Sequence, residues 1–294
     1  MVKESRSYKV FKVINYLVII AFIFLCVYPF LQIVGESFSS EAMIRGGHVN
    51  IIPRGFNVWT YQVMLSDPLF WVNYRNTVIF TILSVSLSLV LTTMTAYALS
   101  KKDLMGRNIL LFMFVFTMFF AGGLIPNFIL ITNFLGWGDT MWSLIIPGAI
   151  GIFNVLIMKT FFEAIPKELE EAAIIDGCNQ YAILLKIVLP LSKAVIAVQV
   201  LFYAVGMWNA WFPAMLYVND RNLQPVALYL RNLISGINNL DPAGGAMAEA
   251  AAGQQGVDQN VGAVAIVLTS LPIIMIYPFL QKYFVSGVTL GAIK

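Results

Sequence analysis

The side chains that most often carry chemistry are sparse in this sequence and scattered along it. One histidine, His48, and two cysteines, Cys26 and Cys178, accompany 15 carboxylates in 294 residues. Cys26 lies in an apolar run and Cys178 in a charged loop, which gives neither a disulfide framework nor metal-ligand spacing, so no metal site and no catalytic residue is expected. A Gly-x-x-x-x-Gly-Lys-Ser/Thr phosphate loop is absent, so the chain does not bind and hydrolyse ATP in the usual way. The segment whose residue types point to a task is Glu163-Ala-Ile-Pro-Lys-Glu-Leu-Glu-Glu-Ala-Ala-Ile-Ile-Asp-Gly177. Pro166 suits a first helical position, Glu168, Glu170 and Glu171 favour the positive helix end, and Gly177 suits a left-handed stop. Tyr181, Leu184, Leu185 and Val188 form a second apolar-periodic stretch that Pro190 ends. The adjacent Ala172 and Ala173 leave a shallow surface that another backbone can approach closely. The chemistry expected here is docking of a helix–turn–helix onto a partner.

Composition says what must hold this segment. The chain is 59% hydrophobic and 11% charged, with a mean hydropathy of +0.81; soluble domains carry roughly 25% charged residues. All 33 charges are excluded from six windows, 13–35, 76–100, 108–138, 140–158, 194–219 and 259–281. Each window reaches the length of about 20 apolar residues that a membrane-crossing helix needs, and the third is expected to span 108–134. Barrel strands would be runs of about 10 alternating residues, so the expected fold is an all-α membrane protein of six spans. The first run follows Lys3, Arg6, Lys9 and Lys12 as a signal peptide would. It lacks a small-residue cleavage site, which favours an uncleaved span.

With the N-terminus inside, the cytoplasmic segments 1–12, 101–107, 159–193 and 282–294 hold 13 basic residues. The outer ones hold five: Arg45, Arg54, Arg75, Arg221 and Arg231. The positive-inside rule then predicts both termini in the cytoplasm, a cytoplasmic loop containing 163–190, and extracytoplasmic segments at 36–75 and 220–258. The net charge of +3 is topological and implies no nucleic-acid partner. The windows contain no Asp, Glu, His, Lys or Arg, whereas a proton- or sodium-coupled carrier places such groups in the membrane. Composition alone leaves a channel open, and intramembrane Asn and Gln also serve as interhelical hydrogen-bonding groups.

Glu171-Ala172-Ala173, three residues, Gly177, nine residues, Ile187, one residue and Leu189-Pro190 resemble the EAA signature of permease subunits from binding-protein-dependent ABC importers at every fixed position. That resemblance implies a type I importer permease fold and a coupling helix seated in a cleft of a separate ATPase subunit. Glu171, Ala172, Ala173, Asp176, Gly177, Ile187, Leu189 and Pro190 would carry the contact. It also implies a second homologous permease, two ATPases that bind the ATP and Mg, an extracytoplasmic binding protein, and the cytoplasmic membrane of a bacterium. No cofactor belongs to this chain.

The resemblance extends to the sugar-importing branch, similar to the smaller permease of maltose-type systems, through Trp208-Asn209-Ala-Trp211-Phe-Pro213 and the ending Gln281-Lys-Tyr-Phe-Val-Ser-Gly287-Val-Thr-Leu-Gly291-Ala-Ile-Lys294. In related permeases this tail reaches the ATPase interface; a frayed terminus is the plain alternative. Sugars offer apolar C–H faces and hydroxyl edges, which aromatic planes and amides recognise. Tyr203, Trp208, Asn209 and Trp211, with Phe153 and Asn154, have that chemistry, although both tryptophans also suit interfacial anchoring. Residues 241–258 are small and expected to be flexible, fit either for probing a binding protein or for an ordinary surface loop. The outer basic residues are all arginine, whose fork suits carboxylates, and the sequence looks closest to a branch linked with uronate-containing or pectin-derived oligosaccharides. The alternatives are an importer permease for a non-sugar solute and, further off, an ion-coupled carrier.

Overall fold

The computed structural model describes residues 5–239 and 260–292, and every regular element among them is helical. In chain order these are α1 (Arg6–Ser37), α2 (Glu41–Arg45), α3 (Trp59–Ser66), α4 (Pro68–Ser100), α5 (Arg107–Phe119), α6 (Leu124–Ile129), α7 (Trp142–Ile145), α8 (Ile152–Glu163), α9 (Lys167–Ile175), α10 (Gln180–Ile183), α11 (Leu189–Leu191), α12 (Lys193–Trp208), α13 (Trp211–Tyr217), α14 (Val226–Asn239) and α15 (Val261–Ala292). Five-residue π-helical turns follow α6 (Leu130–Phe134) and α10 (Leu184–Val188).

Among the described residues two helices are long and apolar enough to cross a membrane, Ser7–Ser37 and Pro68–Ser100, and two bent pairs, Arg107–Phe119 with Leu124–Phe134 and Gln180–Leu191 with Lys193–Trp208, reach that length and hydropathy together. The first is capped by Ser5, whose hydroxyl accepts from the Tyr8 amide at 3.2 Å. Every side chain from Ser7 to Cys26 is exposed, and an all-round apolar helix of this kind needs lipid or a partner chain around it.

Three of the six charge-free windows are not continuous helices, which corrects the expectation of uninterrupted spans. Window 108–138 breaks between Phe119 and Leu124, where Gly123 adopts φ +93° and the two halves bend by 107°. Window 140–158 breaks between α7 and α8 across a segment with Pro147, Gly148 and Gly151. Window 194–219 breaks at Asn209-Ala210, between α12 and α13. Absence of charge reports the surroundings of a segment and not its backbone: two of these breaks carry Gly or Pro, the third falls at Asn209-Ala210, and Pro29, Pro272 and Pro278 lie inside unbroken helices.

The chain forms two compact units, 1–68 with 232–271 and 69–231 with 272–294. In the first, Phe38 stacks on Phe56 and Tyr61 with ring centroids 6.0 and 5.0 Å away. Asn260 accepts from the Thr60 hydroxyl at 2.7 Å and donates to the Ser39 carbonyl at 3.3 Å. In the second, α4 presents a seam of buried small and polar residues, Asn73, Thr77, Ser84, Ser88, Thr92 and Ala96, the composition that lets helices approach closely in lipid. Asn76 donates to the Asn222 carbonyl at 2.7 Å, and the Thr77 hydroxyl accepts from the Val226 amide at 2.8 Å. The amides of the seam thus serve as structural ties.

Asp139 closes this second unit at the turn before α7. Its backbone is left-handed at φ 54°, and its own amide donates to the Tyr217 carbonyl at 2.8 Å. Its carboxylate accepts from the backbone amides of Asp220 (3.0 Å) and Asn219, and from the Asn219 side-chain amide. These donors hold the carboxyl below its ordinary value of 3.8, because they favour the charged form. A depressed pKa stabilises the fold above the unfolded value, and that contribution is lost as pH falls through the folded one. Asp139→Asn is expected to lower the thermal midpoint in detergent at pH 7 by roughly 1–3 °C. It should also flatten the fall in midpoint between about pH 5 and 3; identical pH slopes for the two proteins would remove this role.

Candidate coupling loop and broken-helix pathway

Local sequence chemistry builds the loop. Pro166 stands as the N-cap of α9, one position before the helical site expected for it, and Glu168 and Glu170 occupy the first turn. At the other end Asp176 is the C-cap and Gly177 adopts φ +81°. The Cys178 amide donates to the Ala173 carbonyl at 2.9 Å and the Gly177 amide to the Ile174 carbonyl at 3.0 Å. These two bonds are a Schellman motif, which calls for a glycine at the left-handed position. Asn179 caps α10 by accepting from the Ala182 amide at 2.8 Å.

The loop is seated on α4 and α8. Ala173, Ile183, Leu184 and Val188 pack with Ala96, Tyr97, Leu99, Val155, Met158 and Phe162 in one apolar cluster, with Ile187 and Leu189 against its edge. Glu170 pairs with Lys101, whose ammonium lies 4.2 Å from the centroid of the Tyr97 ring, and the Tyr97 hydroxyl donates to Gln180 Oε1 at 2.9 Å. Glu163 pairs with Arg107 and, at 2.9 Å, with Lys159. Partial burial pushes the Glu163 carboxyl up, but the hydrogen bonds and charges of Lys159 and Arg107 outweigh it and hold the group below its ordinary value. Lys101, Arg107 and Lys159 were legible only as topological charge; Lys159 meets Glu163 one helical turn away, whereas the pairing of Lys101 with Glu170 and of Arg107 with Glu163 depends on distant parts of the chain.

Two expectations for this loop are corrected. The paired alanines do not share a docking face: Ala173 is 7% exposed within the cluster, whereas Ala172 points outward. The outward face is Glu168, Glu171, Ala172 and Ile175, spaced as one helical surface, with Ile175 86% exposed. The apolar stripe of the second helix is also only half inward. Leu184 and Val188 are buried, but Tyr181 and Leu185 are 71% and 63% exposed, because the inward face is Ile183, Leu184, Ile187 and Val188, turned by one residue from the expected stripe. Pro190 is exposed at the start of α11.

The candidate pathway residues separate in the same way. Tyr203 is buried, and its hydroxyl lies 2.6 Å from Thr92 Oγ1 while accepting from the Gly151 amide at 3.3 Å. It therefore ties α12 to α4 and to the break before α8. Sequence reading missed Thr92 and Gly151; a Cβ on Gly151 would stand 3.0 Å from Asn154 Nδ2. Asn154 is half-buried, its carbonyl accepting from Gln199 Nε2 at 3.1 Å, and Phe153 is exposed. Trp208 is buried with its ring edge-on to Tyr74 at 5.7 Å. Asn209 is exposed at the break, where its side chain donates to the Val205 carbonyl at 3.0 Å. Trp211 opens α13 next to Phe212, both exposed. The segment 241–258 and residues 293–294 lie outside the described residues, while the backbone of α15 runs as helix to Ala292.

The family described as "Binding-protein-dependent transport system inner membrane component" matches residues 3–290. The chain belongs to this family. It is a permease subunit of an ABC importer, not an enzyme, and a membrane protein that works with ATPase and binding-protein partners. The permease is 37% identical over 286 residues to the polygalacturonan/rhamnogalacturonan transport system permease protein YtcP of Bacillus subtilis (strain 168), covering 97% of this chain and 99% of that protein. It is 39% identical over 291 residues to protein LplC of the same organism, covering 99% and 97%. A solved structure of a bacterial ABC transporter involved in the import of the acidic polysaccharide alginate includes a chain with a TM-score of 0.84 and 34% identity. That match covers 97% of the permease and 100% of the other chain.

The division of the alanine pair is directly testable in the permease. Ala173→Leu should overpack the closed cluster and lower the thermal midpoint by roughly 2–6 °C, the equivalent of about 1–3 kcal/mol, whereas Ala172→Leu should leave it within about 1 °C. Equal losses would contradict the assigned faces.

Proposed function

We propose that this permease carries an oligosaccharide, delivered by an extracytoplasmic binding protein, across the cytoplasmic membrane of a bacterium. It does so through six spans, three of them broken, with both termini on the cytoplasmic side. A second homologous permease completes the pathway, and two ATPase subunits bind the ATP and Mg that drive alternating access. The observation that carries this reading is the α9 loop, tied by ion pairs and an apolar cluster to α4 and α8 and presenting Glu171, Ala172 and Ile175 outward. In this role α9 is the coupling helix: the outward face enters the ATPase cleft, and Ala173, Gly177, Ile187 and Leu189 keep it rigid on the bundle. The end of α15, 287–292, is a second ATPase contact.

An oligosaccharide substrate is supported by the relatives. Beyond the polygalacturonan/rhamnogalacturonan permease, they include arabinooligosaccharide, trehalose/maltose and maltodextrin permeases over 92% or more of this chain. Names that include polygalacturonan and the acidic polysaccharide alginate favour a uronate-containing substrate.

Proteoliposomes holding both permeases and both ATPases, with binding protein outside and ATP inside, should take up oligogalacturonate in proportion to ATP hydrolysed. Uptake that persists without the ATPases, or failure with every oligosaccharide the binding protein retains, would sink the reading. Gly177→Val forces a β-branched residue into a left-handed backbone, at a cost of roughly 1–2 kcal/mol or more, and Ala172→Trp fills the outward face. Each is expected to abolish ATPase co-purification or to uncouple hydrolysis from uptake, and a complex that assembles and transports normally with both changes would exclude α9 as the docking helix.

A further inference from the structure

The five outer arginines are not equivalent. Arg45 pairs with Glu41 one helical turn away, and Arg54, Arg75 and Arg221 are exposed. Arg231, on α14, is half-buried and meets no carboxylate among the described residues. Its guanidinium carbon stands 4.5 Å from the centroid of the Trp211 ring, and one terminal nitrogen donates to the Met215 sulfur at 3.3 Å. An indole face and a thioether attract a cation without neutralising it. Among the described residues the group therefore has no counter-charge, and most of its five donors are left for another partner.

The place of this group narrows what that partner is. Trp211 and Met215 lie in α13, in the last third of the charge-free window 194–219. A guanidinium beside them cannot face hydrocarbon without a large cost, so this side of α13 opens to water or to protein. α13 starts at the break Asn209-Ala210, and interrupted spans of this kind line substrate sites in transporters. Trp211, Phe212 and Met215 are each partly exposed there, which leaves aromatic surface next to a fork that no carboxylate among the described residues neutralises.

An aromatic plane beside a planar two-pronged cation is complementary to a hexuronate, whose ring offers a C–H face and whose C6 offers a carboxylate. We propose that Arg231, held over the Trp211 ring, reads the carboxylate of a uronate unit, making Arg231 the residue that selects acidic over neutral oligosaccharides on the membrane pathway. This deepens the oligosaccharide reading and rests on it. A lysine would keep the charge but lose the two-pronged contact and the guanidinium that lies over the Trp211 ring.

The test is equilibrium dialysis of the assembled permease–ATPase complex, without binding protein, against trigalacturonate and its fully methyl-esterified form. The wild-type complex should retain the acid about tenfold or more better than the ester, the range of a charge-assisted hydrogen-bonded pair. Arg231→Gln should bring the acid down to the level of the ester, and Arg231→Lys should fall between. Equal binding of acid and ester by the wild type, or an unchanged preference in Arg231→Gln, overturns the proposal. If Arg231→Gln fails to assemble, the lysine variant decides: an undiminished preference for the acid also overturns it. The uptake experiment with binding protein judges the substrate class separately, so import of oligogalacturonate with no acid preference in the complex would reject Arg231 alone.

Discussion

Half of this chain carries no charged side chain, and how the backbone of those segments satisfies its hydrogen bonds governs the rest of the structure. A continuous helix satisfies them automatically, because each amide finds a carbonyl four residues back. Three charge-free windows do not stay continuous, so the groups freed at each break need other partners. At the break before α8 the Gly151 amide donates to the Tyr203 hydroxyl. At the break after α12 the Asn209 side chain returns to the Val205 carbonyl. At the turn before α7, Asp139 accepts from three donors at Asn219 and Asp220. Tyr203, a residue with sugar-binding chemistry, is thus committed to a tie inside the bundle.

The charged half obeys the complementary rule. Charges are tolerated where water reaches, and there they are used to fasten the loop between α8 and α12. Lys101 and Arg107, just beyond α4, take Glu170 and Glu163, while Tyr97 supplies both a ring beneath Lys101 and a hydroxyl for Gln180. Exposed ion pairs contribute little individually. Here they flank an apolar cluster that already fixes Ala173, Ile183 and Val188, so their effect is to set orientation. In the proposed role of α9 this matters more than stability: a displacement applied to its outward face passes to α4 and α8 as the movement of one packed body.

Legibility in the sequence followed the range of the interaction. The start and stop of α9 were readable because capping is decided within a few residues: Pro166, the first-turn glutamates and Gly177 act on their own neighbours. The faces were not. Ala172 and Ala173 are chemically identical, and only the presence of Val155, Met158 and Phe162 on α8 assigns one inward and the other outward. The stripe at Tyr181, Leu184, Leu185 and Val188 misled because apolar residues continue round the helix, and only the cluster on α4 and α8 selects Ile183, Leu184, Ile187 and Val188 as the inward face. Tyr203 read as a pathway aromatic because nothing local announces Thr92 or Gly151 as its partners.

By itself the sequence determined what depends on composition and short range: helices in an apolar surrounding, a capped loop with a permease signature, and the absence of a phosphate loop of its own. Only the tertiary structure decided which windows break, which alanine is free, and which arginine stands against an aromatic ring. Composition selects a solvent and near neighbours select a turn, whereas facing and pairing are set by residues far apart in the chain, whose approach no local pattern encodes.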